Sequence, residues 1–379
     1  MYRQANNLNS ATRYRENGVD SAKLRCIDRQ ITVILDMASE ILAITGALLL
    51  AVLLGISDAP NATASLIAAR AGRYRSLAAW SIFWHFIGAL IAGVAVAESI
   101  TGLVRLHASS LIAVLGIGCM VSVVFTWITT RKGLPVSASV GLVGALAGAG
   151  IAASGFKAVN WYSVHGYRIT GITPVLAGIF VAPLATVGIA ALVTKVISRS
   201  DRHLSRESLK PIQKGIWAMA AWVAISDGTN DGQKAMGIMA VAVASGYSAG
   251  DVGGGHGIVI SWWIKVLCGA ALAVATAIGG RRIIKTVARG LYHGGPIEGV
   301  TTQAAAAAVI FGSALLGFPV STSSVVTSGM VGAGMVKRRH HVRWREVTNV
   351  AWAWILTVPV CAIFGFVLFI GWRAVGGLR

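Results

Sequence analysis

The chain has 379 residues, 55% of them hydrophobic and only 12% charged, with 45 glycines and a mean hydropathy of +0.70. A soluble protein of this size carries about 25% charged residues, so a water-soluble globular enzyme is excluded and an all-α polytopic membrane protein is expected. The formal net charge of +19 raises nucleic acid as a partner, but the placement of the charge argues for loops on one side of a bilayer instead.

Residues 1–37 form a hydrophilic N-terminal tail, and its first 30 residues lack the basic n-region and apolar h-region of a cleavable signal. Five apolar segments follow, at 38–69, 77–97, 109–128, 135–155 and 173–197. A basic linker at 198–214 leads to five more, at 215–247, 256–279, 303–318, 319–336 and 347–371. Most reach the roughly 20 residues needed to span a bilayer. The segments 303–318 and 319–336 are short and meet at Gly317-Phe318-Pro319, which predicts a re-entrant hairpin. Loops 70–76, 129–132, 195–214, 280–302 and 337–346 carry 3, 2, 6, 4 and 5 Lys or Arg, whereas loops 98–108, 156–172 and 248–256 carry one, two and none. By the positive-inside rule the first set is cytoplasmic, and KRRHHVRWR (337–345) reads as an anchor loop rather than a nucleic-acid patch. The tail holds six basic residues although the alternation assigns it to the outside, and the later loops outweigh it. Cys26, Cys119, Cys268 and Cys361 have neither metal nor disulfide spacing.

The two halves resemble each other. GISDAPNATA (55–64) aligns with GTNDGQKAMG (228–237), matching Asp58 to Asp231 and Asn61 to Lys234. GLPVSASVGLVGALAGAG (133–150) aligns with GFPVSTSSVVTSGMVGAGMV (317–336), matching Ser137 to Ser321. The first pair is offset by 173 residues and the second by 184, so the chain is an internal duplication with repeats at 38–197 and 215–379. Five segments per copy is an odd number, which gives the second copy the opposite orientation. Inverted repeats with discontinuous helices are a transporter architecture whose sites lie near the bilayer midplane.

Each motif has its own chemistry. In the two PVS elements, Pro135 and Pro319 suit the first turn of a helix and the serines after them suit its cap. A helix N-terminus presents unpaired N–H groups and about half a positive charge. Two such ends, with hydroxyls from Ser137, Ser139, Ser321, Thr322 and Ser323, would make a neutral cage for a tetrahedral anion; close helix packing at Gly144-xxx-Gly148 is the alternative use of the small residues. A carboxylate at bilayer depth costs roughly 2.5–3.5 kcal/mol and faces a cavity or partner. Asp58 with Asn61, and Asp231 with Asn230, therefore mark a cation or proton site, with interruptions expected at Ala59-Pro60 and beside Gly228 and Gly232. Lys234 lies three residues after Asp231, the spacing of an ion pair on one helix face. His85, mid-segment in WHFIGA, reads either as a helix–helix hydrogen bond or as a proton relay. Lys265, behind Trp262 and Trp263, takes the comparable place in the second copy.

At these motifs the sequence resembles the inorganic phosphate transporter (Pit) family, in its bacterial low-affinity branch. The resemblance rests on GISDAPNA, TNDGQKAMG, the paired PVS segments and FWHFIGA (83–89), and covers most of the hydrophobic chain. It implies an inverted-repeat symporter in the cell membrane that moves inorganic phosphate with a coupling cation. It further implies phosphate ligands among Ser137, Ser139, Ser321, Thr322 and Ser323, and coupling chemistry at Asp58, Asn61, Asn230 and Asp231. No prosthetic cofactor and no resident metal site are implied, although a divalent metal can travel with the phosphate. Departures from the family pattern are Ser57 and Ala138 in the first copy, Asp227 where His is frequent, and His85 where Glu or Asn is frequent. Lys234 replaces the Asn of the Na+-coupled pattern, which points to H+ as the coupling ion. A sulfate permease of the same fold is the alternative, and a membrane phosphotransferase using the Asp pair a more remote one. Homo-oligomerisation is left open.

Overall fold

A computed structural model describes residues 21–68, 74–131, 136–165, 168–200, 209–247, 257–290, 296–337 and 344–377. Much of the basic and basic-poor loop sequence used in the topological argument, and Pro135, lie outside the described residues. The elements are helical almost throughout. In chain order they are α1 (Ser21–Ala68), α2 (Tyr74–Ile91), α3 (Ala95–Thr101), α4 (Ala108–Arg131), α5 (Ala138–Ser154) and α6 (Ile172–Ser200). The second half supplies α7 (Leu209–Tyr247), α8 (Trp262–Gly290), α9 (Pro296–Leu316), α10 (Thr322–Lys337) and α11 (Trp344–Trp372). A two-stranded antiparallel hairpin, β1 (Ser163–His165) and β2 (Arg168–Thr170), joins α5 to α6.

Each of the ten expected segments contains a helix among its described residues. Five helical stretches are long and apolar enough to cross a membrane: Val33–Thr63, Ala108–Arg131, Ile172–Arg199, Ile297–Leu316 and Ala351–Val375. A sixth candidate is α2 with α3, bent by 75° at the break between them. With 17 and 16 residues, α5 and α10 extend only about 25 Å at 1.5 Å per residue, short of a full crossing. The other segment expected in the hairpin lies in α9, whose 21 residues are long enough to cross because its helix starts at Pro296, before the apolar run. Helix α1 begins at Ser21, well inside the stretch read from sequence as a tail.

The packing exchanges the halves. Helix α1 lies on α8, and its counterpart α7 lies on α2; α5 lies on α11, and its counterpart α10 lies on α6. Within each half, α1 packs on α4 as α7 packs on α9. This exchange is compatible with two repeats related by a twofold axis. Matched glycines permit the closest contacts. A Cβ on Gly55 would strike the backbone carbonyl of Leu272 on α8, and one on Gly228, 173 residues later, would strike that of His85 on α2.

The structure departs from two sequence expectations. The helices bearing Asp58 and Asp231 run without interruption, for 48 and 39 residues. The physical reason at Gly228 is the contact just described: the glycine removes a side chain so that α2 can approach, and a glycine in a helix costs only about 1 kcal/mol. The interruption falls instead between α2 and α3, at residues 92–94. Pro319 does not open a helix either. It precedes Thr322, the first residue of α10, by three positions, after a turn in which Gly317 has φ +83°.

Candidate functional site

The uninterrupted helix α7 puts Asp227, Asp231 and Lys234 on one face, at i, i+4 and i+7. That face meets α1, which carries Asp58 and Asn61 one turn apart, and its side chains reach Ser139 at the start of α5 and Thr322 at the start of α10. Asp58, Asn61, Asn230, Asp231, Lys234, Ser139, Ser321 and Thr322 are all buried, Lys234 and Asn230 completely. A lysine buried to this degree must be neutral or fully paired.

Lys234 is fully paired. Its Nζ donates to Asp231 Oδ1 at 2.5 Å, to Ser139 Oγ at 2.6 Å and to the Val320 carbonyl at 2.9 Å. Three acceptors match the three N–H groups of an ammonium. They come from α7, from the first turn of α5, and from the residue two before α10, so one side chain ties together both halves. The ion pair that the i, i+3 spacing suggested is thus present, and it is one of three contacts.

The carboxylates are bridged through α10. Asn61 Nδ2 donates to Asp58 Oδ1 at 3.0 Å and lies 3.3 Å from Thr322 Oγ1, which in turn lies 3.5 Å from Asp231 Oδ2. Gln303 of α9 donates to the Asn61 carbonyl at 2.8 Å, and Asn230 Nδ2 donates to the Phe318 carbonyl at 3.1 Å.

Ser137 and Ser321 act alike. Ser137 is the N-cap of α5 and accepts from Val140 N at 3.4 Å; Ser321 accepts from Ser324 N at 3.3 Å. Both hydroxyls therefore satisfy the orphan amides of their own helices, and Ser321 also shares a 2.6 Å contact with Ser324. Ser323 is half-buried, and its hydroxyl lies 3.5 Å from that of Ser321. Both helix starts expected to face an anion are thus capped, and Lys234 brings an ammonium between Ser139 of one and Val320 just before the other.

His85 stands one turn of α7 away from this cluster. Its Nε2 lies 3.8 Å from Asp227 Oδ2, and its Nδ1 lies 2.7 Å from the Ser81 carbonyl. Lys265 does not occupy the corresponding place in the second half, where the contact with Gly55 puts Leu272. Instead Lys265 Nζ donates to the Ala92 carbonyl at 2.7 Å, at the α2–α3 break, and Gln233 Oε1 accepts from Val96 N at 2.8 Å on the other side of it. These contacts satisfy backbone groups that the break would otherwise orphan.

Sequence reasoning did not select Asp227, Gln233, Gln303, Ser324 or the Val320 carbonyl. Asp227 was visible as a departure from the family pattern. Gln233 lies within the quoted motif, and Gln303 opens an apolar segment with a polar residue. Nothing in a sequence marks a backbone carbonyl.

Two halves that each supply a carboxylate-bearing helix and a capped short helix to one buried polar centre define a two-repeat membrane transport protein. The chain belongs to the phosphate transporter family, whose model matches residues 54–215 and 200–365. It is 32% identical over 323 residues to a Mycobacterium bovis protein named "Probable low-affinity inorganic phosphate transporter", covering 84% of this chain and 75% of that one. Proteins of the same description from Rhizobium meliloti and Bacillus subtilis are 29% and 28% identical, covering 82% and 83% of this chain and 89% and 91% of theirs. A solved structure titled "The sodium-dependent phosphate transporter" shares the fold, with a TM-score of 0.73 at 19% identity over 89% of this chain and 99% of that one.

Proposed function

We propose that this chain is a secondary active transporter that imports inorganic phosphate across the cell membrane by cation symport, with H+ favoured over Na+. The single observation that carries the choice of ion is the position of Lys234. Its ammonium holds a carboxylate, a hydroxyl and a carbonyl oxygen, a ligand set suited to a monovalent cation. A Na+ ion entering there would meet a fixed positive charge at contact distance. The lysine is a tethered cation in the place of a mobile one, so the coupling charge is a proton carried elsewhere.

Phosphate is the substrate best suited to this centre. The helix starts of α5 and α10, with Ser139 and Thr322, offer N–H and O–H donors to its oxygens. Monobasic or dibasic phosphate keeps an O–H that can donate to Asp58, whereas sulfate has none. The carboxylates sit in matched positions between helices of the two halves, which suits an ion path better than the clustered acidic site of a phosphotransferase. Phosphate travels as the free anion or as a neutral metal–phosphate complex. Uptake of radiolabelled phosphate into proteoliposomes under separately imposed pH and Na+ gradients, with sulfate as competitor, tests this reading. Uptake driven by a pH gradient and resistant to sulfate is expected, and uptake driven by Na+ alone refutes it.

A further inference from the structure

His85 and Asp227 make none of the three Lys234 contacts, although Asn61 and Asp231 of that cluster lie close enough to act on Asp227. The two are on helices of opposite halves, and both side chains are 1% exposed. His85 Nδ1 lies 2.7 Å from the Ser81 carbonyl and 3.1 Å from the Ser81 hydroxyl; the carbonyl, at the shorter distance, can only accept, so the tautomer that suits it carries the hydrogen at Nδ1. In that tautomer an imidazole without a second proton presents the lone pair of Nε2 to the Asp227 carboxylate. Two acceptors face each other at 3.8 Å, beyond hydrogen-bond range. Among the described residues, neither carboxylate oxygen of Asp227 and no donor or acceptor of another side chain meets Nε2 within hydrogen-bonding distance. Buried polar atoms are almost always paired, so an unpaired facing set calls for an explanation. The pair is one proton short: a single H+ placed between Nε2 and Oδ2 turns two repelling acceptors into a charge-assisted hydrogen bond.

We propose that His85 and Asp227 form a proton-binding site, beside the Lys234 cluster, that takes up one H+ in each transport cycle. This deepens the proton-symport reading and rests on it. The pair spans the crossing of α2 and α7, where Gly228 sits on the His85 carbonyl and Gly88 on that of Ile225. Binding the proton draws the two halves together at that crossing, and releasing it loosens them. Asp231 and Lys234 lie on α7 itself, and Asp58 faces the pair from α1. From α8, Lys265 is engaged on the Ala92 carbonyl, and from α3, Glu98 accepts from Gly257 N. On α9, Glu298 is nine residues from Ala307, the residue whose carbonyl meets α7 beside Asp227, or about 13 Å along the helix.

The test uses the full-length protein in liposomes loaded with a pH-sensitive dye, and reads proton entry per phosphate together with the pH profile of uptake. The wild type should admit protons with phosphate. H85Q and D227N should each lose proton-driven uptake by about tenfold or more, and flatten the pH profile of what remains. The reciprocal exchange H85D/D227H restores the acid–imidazole pair in reverse and should recover proton entry to within about threefold of wild type. Single variants with an unchanged pH profile overturn the proposal, as does a reciprocal variant no better than the single ones, whether those fail by misfolding or by inactivity. Absence of proton entry in the wild type is a separate result, which removes the symport reading and this site with it.

Discussion

Replacing Lys234 by Asn removes the ammonium and leaves three buried oxygens, from Asp231, Ser139 and Val320, without their donor. Breaking a buried ion pair by removing one partner costs about 3–5 kcal/mol, and each orphaned neutral acceptor adds about 1–3 kcal/mol unless water enters. A Na+ ion can offset much of this, because the vacated space keeps a carboxylate, a hydroxyl and a carbonyl. Binding at a hundred times the dissociation constant would return about 2.7 kcal/mol. The purified Lys234→Asn protein should therefore melt well below wild type in choline chloride and be stabilised by added NaCl, while wild type shows no such Na+ response. In liposomes the variant should lose uptake driven by a pH gradient and gain sensitivity to a Na+ gradient. Thermal melts in matched NaCl and choline chloride read the first effect, and tracer uptake reads the second. A variant as stable as wild type and indifferent to Na+ would show that Lys234 does not stand in for a mobile cation.

Three further outcomes follow from the geometry. Ser137→Ala and Ser321→Ala each remove a helix cap, so each should cost about 1 kcal/mol in denaturant or thermal unfolding, and a large difference between them would argue against equivalent roles. Gly228→Ala places a methyl group against the His85 carbonyl and should lower folded yield by size-exclusion chromatography, an overpacking cost of about 1–3 kcal/mol or more; normal yield would mean that α2 can retreat freely. Lys265→Met leaves the Ala92 carbonyl unpaired at the α2–α3 break, with a cost of about 1–3 kcal/mol, readable as faster hydrogen exchange over residues 92–97 than in wild type.

Much of this arrangement is legible in the residues because it is written twice. Asp58 and Asp231 point to one site because each recurs in a matching motif, and Ser137 and Ser321 cap their helices as their spacing implies. The interruptions are not legible, because Ala59-Pro60 and the glycines around Asp231 are breakers by local propensity, whereas tertiary contact decides what they do. Gly228 is spent on a helix crossing. His85 and Asp227 appeared as two unrelated departures, and only the packing of α2 on α7 makes them one pair. Lys265 looked equivalent to His85 by its position after two tryptophans, yet its long side chain reaches a carbonyl in the other half. Periodicity reports which residues share a face, and it does not report which two helices cross.

The exchanged packing bears on how the molecule is made. Gly55 finds its partner only when Leu272 exists, and α2 finds its own only when α7 does. During synthesis the first five segments must wait in the membrane with their closest contact surfaces uncovered until the second five arrive. Contacts so distant along the chain are slow to form and expose intermediates to misassembly. Although duplicated, the two halves are thus not two independently folding units. Expressed as separate polypeptides, each should be recovered folded only when the other is synthesised in the same membrane, as the subunits of an obligate dimer are.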